Sequence, residues 1–152
     1  MTTRAATPDD IDAIARIHVR SWSETYAGIF PADYLGERTE KVRRETWSNW
    51  FESASELHRA FVAEADGDVV GFCSLGPARQ SDLDAKLEVY AIYVEGQYQG
   101  RGLGGALWDA ACETANELGA RTLAVSVLSD NDACSFYEHV GGELVGREVR
   151  TY

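Results

Sequence analysis

The stretch LEVYAIYVEGQYQGRGLGGALW, Leu87 to Trp108, decides how the rest of the chain is organised. Leu87 to Val94 is β-branched and aromatic enough for a buried strand. From about Gly102 the apolar residues Leu103, Ala106, Leu107, Ala110, Ala111, Ala115 and Leu118 fall at helical spacing. The reading is strand, glycine-dense loop, helix. Such a junction turns several backbone N–H groups, unscreened by side chains, toward one spot at the positive end of a helix dipole. It predicts a site for an anion, a phosphate above all.

A chain of 152 residues, 45% of them hydrophobic, suits one globular domain with a core of ordinary size, so a single domain over residues 1–152 is expected. No apolar run approaches the roughly 20 residues that cross a bilayer, and the opening MTTRAATPDD lacks the apolar stretch of a signal peptide. A cytoplasmic protein with no membrane attachment follows as the expectation. Cys73, Cys112 and Cys134 lack C-x-x-C spacing, and their apolar or small-residue surroundings suggest buried thiols, with neither a disulfide nor a metal site. The net charge of −11 argues against nucleic acid, whose phosphates need a basic patch. It either attracts a cationic acceptor or simply serves solubility.

Thr3 to Ala6 reads as a short first strand. Thr7-Pro8-Asp9-Asp10 then supplies an N-cap, a first-turn proline and acids for a helix whose apolar face runs through Ile11, Ile14, Ala15, His18, Trp22 and Tyr26. Glu37 to Glu52 reads as a second helix with Val42, Trp47, Trp50 and Phe51 available for burial. The tryptophans of this front third are either core over the sheet or walls of an acceptor pocket. Arg59 to Ala65 and Asp68 to Leu75 form an antiparallel hairpin about Asp66-Gly67, with Gly76-Pro77 ending its second strand. Beyond the long helix, Thr122 to Leu128 reads as a strand, Asp130 to His139 as a short helix and Glu143 to Tyr152 as a last strand. The order β-α-α-β-β-β-α-β-α-β calls for an α/β architecture, a mixed sheet with helices on both faces.

Gly100, Gly102 and Gly105 satisfy the G-x-G-x-x-G of a dinucleotide site, but their position argues against a nicotinamide-dependent oxidoreductase. In that fingerprint the first glycine turns directly off the strand of the first βαβ unit, whereas here Glu95 to Gln99 intervene and an antiparallel hairpin comes before. No Gly-Lys-Ser/Thr follows, which excludes a P-loop. The segment Gln99-Gly100-Arg101-Gly102-Leu103-Gly104 instead resembles the Q/R-x-x-G-x-G/A signature of the GCN5-related N-acetyltransferases (GNAT). Asn131-Asp132-Ala133-Cys134-Ser135-Phe136-Tyr137-Glu138 is similar to the later N-x-x-A-x-x-F-Y motif of the same family, whose element order also matches.

The resemblance implies the GNAT fold and an acetyl-CoA-dependent N-acetyltransferase, working without a metal by direct transfer to a primary amine of a small molecule or peptide. Acetyl-CoA would lie where the central strand and Thr122 to Leu128 splay apart. Its pyrophosphate would meet the amides of Gln99, Gly100, Arg101, Gly102, Leu103, Gly104 and Gly105, with the Arg101 side chain adding charge. By the same analogy Val94 hydrogen-bonds the pantetheine arm, the Ile92 N–H polarises the thioester carbonyl, and Asn131 holds the arm from the other side. Tyr137 matches the tyrosine beside the sulfur, and otherwise reads as a helix tyrosine in the core. Glu88 stands where the histone-acetylating branch carries its general base; the other reading is a solvated carboxylate at the strand's start. His18 and His139 are weaker base candidates.

The family builds its acceptor site from the first two helices and the loop before the central strand. Here Ser21 to Pro31 looks like a W-x-x-T-Y-x-G-x-x-P stretch of a bacterial branch that includes polyamine acetyltransferases. Trp22, Glu24, Tyr26 and Asp82, with Asp33 and Asp84, would therefore meet a cationic, polyamine-like amine. Members usually carry two strands after the tyrosine helix where this chain has one, so either Glu143 to Tyr152 pairs with Thr122 to Leu128 or a second subunit covers an open edge, as a homodimer. The alternative function is a non-catalytic acyl-CoA-binding or regulatory domain on the same fold.

Overall fold

The structure is a computed structural model that describes residues 2–26, 40–78, 86–120 and 122–125, the side chains of 22–26 excepted. Strand β1 (Thr2–Ala5) leads through a 3-10 turn (Pro8–Asp10) into helix α1 (Ile11–Tyr26). Helix α2 (Glu40–Ser53), strands β2 (Arg59–Ala65), β3 (Asp68–Pro77) and β4 (Leu87–Val94), helix α3 (Leu103–Glu117) and strand β5 (Leu123–Val125) follow. The five described strands form one sheet in chain order, antiparallel from β1 to β4 and parallel between β4 and β5. This is the mixed sheet expected. The helix Asp130 to His139 and the strand Glu143 to Tyr152, on which the homodimer expectation turned, lie outside the described residues.

Each face of the sheet carries its own core. On one, α3 presents Leu103, Leu107, Ala111 and Ala115 to Val70, Cys73, Leu75, Leu87, Val89 and Val94. On the other, Ile14 and Ile17 of α1 and Trp47 of α2 cover Ala60, Val62 and Phe72. Phe72 is fully buried, and Trp47 meets it edge-on with ring centroids 5.4 Å apart. Burying side chains of this size stabilises by about 1.5–3 kcal/mol each. Trp47 is thus core, as one of the two readings had it.

Local chemistry accounts for the main junctions. At the β2–β3 hairpin Asp66 has φ 54° and Gly67 φ 83°, the pair of positive values that a type I′ turn requires. The Asp10 carboxylate accepts the Thr7 N–H at 2.8 Å and so closes the first turn from the far side. Arg4 donates twice to the same carboxylate, at 2.9 and 2.8 Å, and also pairs with Glu64, which joins β1 to β2 and to the helix start. The Arg4 guanidinium is the main reason that the Asp10 carboxyl is held below the usual carboxylate range, against the opposing effect of burial.

Two expectations are corrected. Gly76-Pro77 does not end β3: Gly76 pairs with Glu88 and Pro77 with Leu87, because a proline at the last rung of a ladder forfeits no interior hydrogen bond. Helix α2 is described from Glu40, and Glu37 to Thr39 of the expected helix lie outside the described residues. Cys112 is exposed on α3 rather than buried, since it falls next to the buried Ala111 on the outward side of the helix; Cys73 is buried as expected, and burial pushes its thiol up to about 12.

Candidate active site

Two ends of β4 frame the site. At its carboxyl end the chain passes through Glu95, a 3-10 turn (Gly96–Tyr98) and Gly102 into α3. Gly100 has φ 78° and Gly102 φ 84°, left-handed values that favour glycine. A Cβ at Gly96, Gly100, Gly102 or Gly105 would meet nothing within 4 Å. The loop surface is therefore bare backbone with open room above it. Gly102 caps α3 without a side-chain hydrogen bond, so the amides of Leu103, Gly104 and Gly105 start the helix without intrahelical acceptors. Leu103 contributes backbone alone, since its side chain is buried in the core. The Arg101 guanidinium lies over the Tyr98 ring, 5.2 Å from its centroid, which keeps a positive charge at the loop. These residues fit a pyrophosphate.

Positive charge also gathers on the opposite side of the loop's first residue. Glu95 is buried, and Arg16 and Arg20, one helical turn apart on α1, approach its carboxylate at 4.0 and 3.8 Å. Both arginines are about half exposed. This cluster ties α1 to the loop, and nothing in the glycine motif announced it.

Along β4 the backbone itself is the candidate binding surface. Glu95 N–H donates to Val70 O of β3 at 2.8 Å. Alternate residues of a strand face opposite ways, so the N–H and C=O groups of Ile92 and Val94 point away from β3. Among the described residues β5 pairs only with Leu87, Glu88 and Val89, so no described strand lies beside Ile92 and Val94. The Gln99 side chain donates to Val94 O at 2.9 Å and folds the loop back on the strand. Gln99 therefore acts on the strand end, a role that the motif reading did not assign to it.

A β-bulge separates the two halves of β4. Ser74 pairs with Ala91 but Leu75 with Val89, so Tyr90 is an extra residue. Leu87 and Val89 face α3, as do Ile92 and Val94, while Ala91 and Tyr93 face α1 and α2. Without the bulge strict alternation would have put Ile92 and Val94 on the face of Glu88. No residue type in LEVYAIYV signals it.

Glu88 is 1% exposed, which rules out the solvated carboxylate. Its register partner is Gly76, so its side chain lies on the face away from Leu87 and Val89, toward the helices α1 and α2. His18, on that same face, packs against Trp47, Phe72 and Tyr93, and the Trp47 indole N–H donates to its Nδ1 at 3.3 Å. That bond uses the lone pair a base would need, so His18 serves the core. Tyr137, Asn131, Asp82 and His139, with Asp33 and Asp84, lie outside the described residues. Trp22, Glu24 and Tyr26 fall in the last turns of α1, and their side chains are not among those described. Among the described residues no group of His, Cys, Asp and Glu is arranged to hold a metal, and no helix is long and apolar enough to cross a membrane.

Comparison with known proteins bears on the family and the fold. The model of the acetyltransferase (GNAT) family matches residues 14–142. The protein named uncharacterized N-acetyltransferase YuaI of Bacillus subtilis (strain 168) is 34% identical over 149 residues, covering 97% of this chain and 83% of its own length. An L-methionine sulfoximine/L-methionine sulfone acetyltransferase of Salmonella typhimurium (strain LT2) is 28% identical over 150 residues, covering 98% of this chain and 83% of that protein. In fold, the chain is similar to the PaiA N-acetyltransferase of Thermoplasma acidophilum, crystallised with coenzyme A, at a TM-score of 0.82 and 22% identity over 97% of this chain and 94% of the other.

Proposed function

The chain belongs to the acetyltransferase (GNAT) family, and from that premise we propose that it acetylates the primary amine of a small molecule or peptide, Glu88 taking the amine proton and Tyr137 serving the departing sulfur. Membership makes it an acetyl-CoA-dependent N-acetyltransferase, and acetyl-CoA supplies an acyl group already activated as a thioester. The amides from Gln99 to Gly105 and the Arg101 side chain hold its pyrophosphate. The backbone groups of Ile92 and Val94 and the Asn131 side chain hold the arm that follows. The whole of residues 1–152 acts as one such domain.

The observation that carries the reading is Glu88. It is a carboxylate at 1% exposure on an otherwise apolar strand. Its place beside the bulge, on the helix-covered face and away from the core of α3, suits a base that meets the amine from the acceptor side. Tyr137 donates its proton to the sulfur as the carbon–sulfur bond breaks, so that a neutral thiol leaves. Trp22, Glu24, Tyr26 and Asp82 are, in this reading, the residues that bind the acceptor. The name of the Salmonella relative supports an amino-acid-like acceptor, and the acidic side chains support a polyamine.

The reading is tested by thiol release from acetyl-CoA across L-amino acids, polyamines, aminoglycosides and short peptides. Turnover with one class is expected, together with a loss of about 10²–10⁴ in kcat for Glu88→Gln at nearly unchanged acetyl-CoA KM. An unaltered rate in Glu88→Gln would remove the carboxylate from the chemistry. Absence of release with every amine, alongside tight acetyl-CoA binding, would favour a non-catalytic acyl-CoA-binding domain.

A further inference from the structure

The face on which Glu88 lies holds a second polar group that no motif marks. A Cβ built on Gly76 would sit 2.7 Å from His58 Cδ2 and 2.7 Å from the Tyr90 hydroxyl oxygen. The room that a side chain would take at Gly76 is thus filled by the edge of one ring and the tip of another. Directly opposed residues in an antiparallel pair have Cβ positions roughly 5 Å apart on one face, and Gly76 is opposed to Glu88. The imidazole edge and the stem of Glu88 therefore stand within roughly 8 Å of each other, on the same side of the sheet.

The protonation of His58 follows from its own neighbours. The Ser55 backbone N–H donates to Nδ1 at 3.1 Å, and the Ser55 hydroxyl contacts the same nitrogen at 2.8 Å. A backbone N–H can only donate, so Nδ1 is the acceptor and the proton of the neutral ring is on Nε2. Trp50 meets the ring edge-on, with centroids 5.9 Å apart, and restrains its tilt. Cδ2, the atom over Gly76, is bonded to Nε2. The donor edge of His58 is the one turned toward the Glu88 side, and Nε2 makes no hydrogen bond among the described residues.

We propose that His58 is a specificity-determining residue of the acceptor site: its Nε2–H binds an oxygen of the carboxylate borne by the same carbon as the amine that Glu88 deprotonates, so that the acceptor is an α-amino acid rather than a simple alkyl amine or polyamine. This rests on the reading of Glu88 given above. A carboxylate and a hydrogen-bond donor within roughly 8 Å of each other on one face match the two ends of an amino acid, an ammonium and a carboxylate on one carbon. A polyamine offers no oxygen to such a donor. The hydrogen bond to a carboxylate is charge-assisted and so stronger than a neutral one.

The experiment compares L-methionine with 3-(methylthio)propan-1-amine, the same side chain without the carboxylate, using the full chain and acetyl-CoA. The wild type should favour the amino acid. His58→Ala should raise the KM for L-methionine about 10- to 100-fold, with the KM values for the simple amine and for acetyl-CoA unchanged. His58→Gln, whose side-chain amide puts an N–H near the Nε2 position, should recover most of the loss. Equal kcat/KM for the two amines in the wild type, or an equal fall for both in His58→Ala, would overturn the proposal while leaving the transferase intact. No turnover with any amine would instead remove the reading on which it rests.

Discussion

Asp10 accepts hydrogen bonds from Arg4 and from the Thr7 N–H while its side chain is only 8% exposed, so its charge is stabilised chiefly by one guanidinium. Asp10→Asn should cost about 1–3 kcal/mol at neutral pH, because it leaves an arginine and a helix-start amide short of an ionised acceptor. The pH dependence has a definite sign. A carboxyl whose folded pKa lies below its unfolded value, near 4, stabilises fully above that unfolded value and loses its contribution as the pH falls through the folded one. Urea melts of wild type and variant should therefore differ most above about pH 5 and converge in stronger acid. A constant gap from pH 7 down to pH 2 would mean that the charge of Asp10 is not what stabilises the junction. Glu88 and His58 are polar groups on the face away from α3, to which we have assigned proposed roles in the site rather than in the fold.

At the scale of elements, the start of α3 separates stability from binding. Gly102 is left-handed, so Gly102→Ala should cost about 1–2 kcal/mol through backbone strain alone, since a Cβ there meets no neighbour. Gly105 lies inside the first turn of α3 with equally open space. Gly105→Ala should stabilise by about 0.5–1 kcal/mol, because alanine loses less backbone entropy in a helix. Yet its methyl would occupy the room where the pyrophosphate approaches the amides, so acetyl-CoA KM should rise in both variants with amine KM held. A Gly105→Ala enzyme that is more stable and binds acetyl-CoA as well as the wild type would move the anion off this turn. Strand β4 carries the matching lesson: its bulge at Tyr90 is what lets Glu88 face α1 and α2 while Ile92 and Val94 lie on the core face toward α3.

For the whole molecule, a ligand that binds only the folded chain raises its stability by mass action. Acetyl-CoA at about 100 times its Kd should add roughly 2.7 kcal/mol, visible as a higher Tm, whereas NADH at equal concentration should leave the melt unchanged. A shift with NADH alone would return the glycine loop to the dinucleotide reading. The net charge of −11 sharpens the contrast, since the anion must be held against the field of the whole protein by a local concentration of amides and Arg101. Arg16 and Arg20 about Glu95 add positive charge beside the loop and fasten α1 to it.

Glycine, β-branched runs and helical spacing act over a few neighbouring residues, and that is why LEVYAIYVEGQYQGRGLGGALW, read alone, established strand, glycine turn and helix, and why Asp66-Gly67 marked the hairpin before it. The antiparallel order before that stretch was legible too, because turn chemistry is local. Only the tertiary structure decided that Glu88 is buried, that Gly76 leaves room for His58 and Tyr90 opposite it, that His18 belongs to the core, and that Cys112 faces outward. Those outcomes depend on register, on a one-residue bulge and on which helix covers which face. Each joins residues distant in sequence, and a single extra residue in one strand reverses which side chains share a face.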